Sequence, residues 1–98
     1  MKSIMQEDKS SCFLCGRNGS ADRLEEHHVF GGSNRKFSEA DGLKVYLCGD
    51  ACHRNGPFSA HRNKDTASFL HRKGQIAWMQ RYGSLEDFMK RYGRNYIE

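Results

Sequence analysis

The chain has 98 residues, enough for one domain, and its hydrophobic content of 37% is lean for a domain that must bury a core unaided. A net charge of +4 suits a polyanionic partner without requiring one. No stretch approaches the ~20 consecutive apolar residues of a membrane span, and Met1 to Lys9 contains no apolar signal-like run. A cytoplasmic protein with no membrane partner is therefore expected, in which paired cysteines serve metals rather than disulfides.

Residues 1–10 read as a flexible polar leader ahead of a single domain, residues 11–98. Cys12-Phe13-Leu14-Cys15-Gly16 follows, a turn in which two thiolates reach one metal and glycine takes the positive φ that tightens it. A Cys-x-x-Cys pair also serves redox chemistry, but no βαβ pattern flanks this one. Asn18-Gly19 marks a turn, and Leu24 to Phe30 reads as a short strand broken by Gly31-Gly32. Residues 33–42 read as a polar loop. Leu43 to Leu47 is β-rich and reads as a second strand, antiparallel to the first. Cys48 and Cys52 form a second knuckle, His53 follows at once, and Gly56-Pro57 ends the turn that carries it.

From Asp65 the pattern becomes helical. Asp65 or Thr66 is the expected cap, and Phe69, Leu70, Ile76, Ala77 and Trp78 form an apolar face interrupted by Gly74. Arg81 and Gly83 suit a last turn and a left-handed stop. Ser84 is the expected cap of a second helix, closed by Arg91 and Gly93. The expected class is α+β, with residues 11–62 carrying the chemistry and residues 63–98 forming a helical extension.

All four cysteines fall into the two close pairs, so Cys12, Cys15, Cys48 and Cys52 are expected to close a tetrahedral structural Zn²⁺ site. Four of the five histidines, His27, His28, His53 and His61, lie around the strands and the second knuckle and are not consumed by that site. Three neutral imidazoles suit a divalent ion with open positions, and a fourth suits proton transfer. His27 and His28 are adjacent, so a regular strand turns them to opposite faces. Glu26 is expected to face solvent, His71 to be an ordinary helix-surface residue, and Trp78 to sit in the core. A zinc deaminase is excluded, because neither His-x-Glu nor Pro-Cys-x-x-Cys is present.

Glu26-His27-His28-Val29-Phe30-Gly31-Gly32, then Leu43 to Leu47, then Cys48-x-x-x-Cys52-His53 resembles the HNH nuclease superfamily. The leading Cys12-x-x-Cys15 is similar to its zinc-containing branch. The whole resembles the small HNH proteins of bacteriophages and prophages, over roughly residues 12–61. That resemblance implies a ββα-metal (His-Me finger) unit with a Cys₄ zinc knuckle and hydrolysis of DNA phosphodiesters. It implies His28 as general base and His27, His53 and His61 as ligands of a catalytic Mg²⁺ or Mn²⁺. It further implies DNA as partner in a bacterial host cell, with phage packaging or recombination proteins as associates. Arg35, Lys36, Arg54 and Arg62 flank the site and are the candidate phosphate contacts. The family's middle asparagine is missing: the region reads Asp41-Gly42-Leu43, which leaves Asn34 and Asn55 as candidates for its loop-pinning role. The reading from a different class is a non-catalytic zinc module that binds nucleic acid.

Overall fold

A computed structural model describes residues 1–97. Two short strands pair at its centre, β1 (Leu24–His28) and β2 (Lys44–Cys48), antiparallel, with Leu24 opposite Cys48 and His28 opposite Lys44. Side chains alternate across a strand. Leu24, Glu26 and His28 therefore share one face of β1, and Glu25 and His27 share the other.

The segment between the strands is not the expected loop. It folds as a 3₁₀ turn (Gly32–Asn34) leading into α1 (Arg35–Asp41), which stops at Gly42 in the left-handed conformation, φ 76°. The inward face of α1 is polar, with Ser38 and Asp41 as its buried residues, so it carries no apolar periodicity to betray a helix. Ser38 pins both ends of this connection: its hydroxyl donates to the Leu43 carbonyl and accepts from the Phe30 amide at 3.3 Å. Asn34 and Asn55 do other work. Asn34 reaches the Tyr92 carbonyl, and Asn55 donates to Asp50.

After β2 the chain makes a wide π-helical turn, Gly49–Arg54. Asp22 caps it, accepting from the backbone N–H groups of Asp50 and Ala51 at 3.0 and 2.9 Å. Helix α2 (Lys64–Arg81) is capped by Asn63 rather than by the expected Asp65 or Thr66, with Asn63 accepting from the Thr66 amide. Helix α3 (Leu85–Tyr92) has the expected Ser84 cap, completed as a reciprocal box by Asp87, and the expected left-handed Gly93. Gly83 does not adopt the left-handed stop. It is needed for space instead, because a Cβ there would lie 2.7 Å from Asp87 Oδ2.

The core lies between the sheet and the two C-terminal helices. Leu43, Val45, Leu47, Leu70 and Phe88 are fully buried, and Trp78 joins them as expected. Phe30 sits at its hub, against Phe88, Tyr92, Tyr96 and His71. Gly74 lets α2 approach this hub, since a Cβ there would stand 3.0 Å from Val29 and 3.1 Å from Phe30. Asp41 latches the three helices together. Its carboxylate, on a residue only 8% exposed, accepts from Arg91 twice, from Trp78 Nε1 at 2.9 Å and from the Tyr92 hydroxyl at 2.7 Å.

The N-terminal leader is also tied down rather than loose. The Ile4 amide donates to the Gly42 carbonyl, the Ser3 hydroxyl to the Lys44 carbonyl, and the Tyr46 amide to Gln6 Oε1. These bonds satisfy the outer edge of β2 that a two-stranded sheet would otherwise expose. No helix among the described residues is long and apolar enough to cross a membrane.

Candidate metal centres

The cysteine cluster forms where the N-terminal turn meets the end of β2. Gly16 takes φ 79° and donates to the Cys12 carbonyl, closing the Cys12–Cys15 turn as expected. β2 delivers Cys48, and the π-helical turn delivers Cys52. Their four sulfurs all lie within 4.8 Å of one another, and Cys15 Sγ and Cys48 Sγ are 3.5 Å apart. A tetrahedron with metal–sulfur bonds of ~2.3 Å has edges of about 3.8 Å, so the donor set and its spacing are compatible with Zn²⁺.

The sulfurs are also prepared electronically. Burial raises the Cys12 thiol, but the backbone N–H groups of Cys15, Cys48 and Leu14 point at its sulfur and bring it down to about 7. Burial, with the other sulfurs beside it, raises Cys48 to about 12, and Cys52 shifts upward for the same reasons. A bound cation removes the remaining protons.

The second cluster is made of histidines. His27 points from β1 toward the π-helical turn, where His53 sits, and the following loop returns to place His61 beside both. The His61 amide donates to the His53 carbonyl at 3.1 Å, which fixes the pair. Ring centroids are 5.0 Å apart for His27–His53, 5.3 Å for His27–His61 and 4.8 Å for His53–His61. One nitrogen from each ring lies within 4.8 Å of the other two. Burial, then the neighbouring His53 and His61, lowers His27 to about 3, and burial and His53 lower His61 as well. Both are therefore neutral at physiological pH, the form that binds metals.

Glu25 completes this cluster from the same face of β1 as His27. Its Oε1 lies 2.8 Å from His53 Nδ1 and 2.8 Å from Arg54 Nε. Those two bonds, Arg54's first, hold the Glu25 carboxyl below its ordinary range. With Nδ1 donating to Glu25, His53 presents Nε2 as the free lone pair. Glu26, next to the histidine pair, lies on the other face of β1. Strand alternation alone points to Glu25, two residues before His27.

His28 lies on the opposite face of β1 and does not join the triad. Its Nε2 is 2.7 Å from Glu39 Oε1, in an ion-pair network with Glu26, Lys44 and the Met1 amino group. Hydrogen bonds from His28, then the N-terminus and Lys44, hold Glu39 down to about 2. Glu26, exposed as expected, still pairs with Lys44 at 3.2 Å. The Lys44 ammonium, on a residue only 6% exposed, is the cation of that network. His28 sits at the strand's end and still lines, with His27, Gly31, His61 and His71, a cavity of about 190 Å³. His71 thus leaves the helix surface to which its sequence context assigned it. It is half-buried, stacked on Phe30 at 5.2 Å and 12°, with its pKa lowered by burial.

The four candidate phosphate contacts are all exposed, but they are not gathered together. Arg54 is bound to the histidine cluster through Glu25, and Arg62 follows His61 and donates to the Asn55 carbonyl. Arg35 and Lys36 head α1. Comparison with family models, with curated proteins and with solved structures finds no match for this chain.

Proposed function

We propose that this chain is a metal-dependent HNH endonuclease that hydrolyses DNA phosphodiesters, built on a ββα-metal core and stapled by a structural zinc. The observation that carries this reading is the convergence of His27, His53 and His61, with Glu25 behind His53, beside a separate and complete four-cysteine cluster. A zinc module needs only the cysteines. A second, nitrogen-rich cluster on a cavity edge has the donor set of a reactive site.

In this reading Cys12, Cys15, Cys48 and Cys52 hold Zn²⁺, which joins the N-terminal turn to the sheet. His27, His53 and His61 would hold Mg²⁺ or Mn²⁺, which when bound would supply positive charge for the phosphoryl oxygens during hydrolysis. Glu25 fixes the His53 tautomer and ring orientation. His28, at the end of β1, takes the proton of the attacking water, and the Glu39 carboxylate orients its ring from the far side. Arg54 and Arg62 contact phosphates flanking the scissile bond.

Supercoiled plasmid incubated with the protein in Mg²⁺ or Mn²⁺ tests this directly. Wild type is expected to convert it to the nicked or linear form. His28→Ala is expected to lose at least about 100-fold in rate, in line with removal of a proton-transfer group, and His27→Ala to lose the metal-stimulated cleavage, while both keep their zinc. DNA binding without any metal-stimulated cleavage would replace the nuclease reading by that of a non-catalytic zinc module.

A further inference from the structure

Phe58 is the one large apolar side chain that the fold leaves almost wholly in water among the described residues, at 74% exposure. It is not on a loose tip. The Thr66 hydroxyl donates to its carbonyl at 2.9 Å, Asn63 Nδ2 donates to the carbonyl of Pro57, and the Ser59 amide bonds back to Gly56. Two residues further on, Ala60 is buried and bonded to the Cys52 carbonyl. The backbone is clamped on both sides while the ring is held out. Exposing a phenylalanine in this way forgoes the stability that its burial would contribute.

Its surroundings indicate what it meets. Phe58 lies within the 53–64 stretch, which runs from one member of the histidine cluster through the other, His61, into α2. That stretch contains Arg54, Arg62 and Lys64 and no carboxylate. The ring forms one wall of a groove of about 280 Å³, with Phe69 and Leu14 as further walls and Asn63, Asp65 and Thr66 along its edge. Lys73 Nζ stands 5.6 Å over the Phe69 ring. An aromatic slot flanked by cations suits a flat, apolar-faced group attached to a polyanion. Asp65 repels phosphate from the groove itself, so the backbone would pass outside it and only the base would enter.

We propose that Phe58 is a stacking platform for an unpaired base of the nucleic-acid strand, which makes single-stranded or locally opened DNA the preferred substrate class. Bases in an intact duplex are already stacked on one another and present no free face to the ring. An unpaired base does, and base–aromatic stacking tolerates any sequence. The inference deepens the nuclease reading and rests on it for DNA as the polyanion.

The test is binding, not cleavage. Protein with its zinc and no added divalent ion is titrated against a fluorescent single-stranded 12-mer and against a duplex of the same sequence. Wild type is expected to prefer the single strand. Phe58→Ala is expected to weaken single-strand binding by about 5- to 100-fold and to change duplex binding by less than about twofold. Its melting curve is expected to match wild type, since the ring contributes little buried surface. Phe58→Trp is expected to restore binding, and its added fluorescence to be quenched by the single strand. Unchanged single-strand affinity in Phe58→Ala, an unquenched Phe58→Trp, or a wild-type dimer that Phe58→Ala dissociates would each overturn the proposal, the last by assigning the groove to a second copy. The two readings fail separately. Phe58-dependent binding without plasmid cleavage removes the nuclease and leaves the platform, whereas cleavage with Phe58-independent binding does the reverse.

Discussion

The Glu25→Gln substitution asks whether the histidine cluster is a working metal site, and strand alternation supplies its control. Glu25 Oε1 accepts from His53 Nδ1 at 2.8 Å and from Arg54 Nε at 2.8 Å. Glutamine keeps the shape and one acceptor oxygen but loses the charge, and its amide can turn a donor toward the imidazole. A hydrogen bond to a charged partner contributes about 1.5–3 kcal/mol. The Glu25 side chain is 36% exposed, so solvent screening weakens this bond. The expected result is Mn²⁺ affinity weakened by about 10- to 30-fold, in the lower part of the range for losing an outer-shell partner of a ligating histidine. Isothermal titration of the zinc-loaded protein with Mn²⁺ at pH 7.5 measures it. Glu26→Gln, on the other face of β1, is expected to leave the affinity unchanged. Equal affinities for Glu25→Gln and wild type, or an equal loss in Glu26→Gln, would refute the reasoning.

Three further outcomes follow from the same geometry. Elemental analysis of protein purified without chelator is expected to give one zinc per chain, and Cys48→Ser or prolonged chelation to abolish cooperative thermal unfolding, because structural zinc contributes folding free energy outright. Asp41→Asn is expected to destabilise by about 1.5–3 kcal/mol in urea denaturation, since the buried acceptor of the Arg91, Trp78 and Tyr92 bonds loses its charge. Burial lowers the His71 pKa from 6.5, so the unfolded chain binds more protons than the folded one below that value. Stability from His71 is full above about pH 6.5 and is lost as pH falls toward the folded value. His71→Phe, which keeps the stack on Phe30, is expected to flatten the slope of stability against pH across that window.

Several parts of the molecule were legible locally. Two strands were readable from β-rich segments closed by glycines, and the α3 cap and its left-handed glycine from Ser84 and Gly93. The Cys12–Cys15 turn was readable because two thiols three residues apart, with glycine next, have little choice of shape. The segment around α1 was hidden for a physical reason. Its buried residues are Ser38 and Asp41, whose burial depends on partners as remote as Leu43, Trp78, Arg91 and Tyr92. His71 was misplaced for a related reason, because nothing in α2 shows that Phe30 will lie beneath it.

The sequence by itself determined the inventory of cysteines and histidines and the side of the strand each residue faces. The paired cysteine spacings and the period of two in β1 place Glu25 and His27 together and turn His28 away, and both follow from local backbone geometry. Tertiary structure alone decided which distant groups meet. It brought His61 back onto His53 through one backbone hydrogen bond, moved His71 to the cavity, docked residues 1–6 along β2 and left Phe58 in water. Each of these depends on long-range closure that buries or exposes a side chain against its local pattern, and no local pattern carries that information.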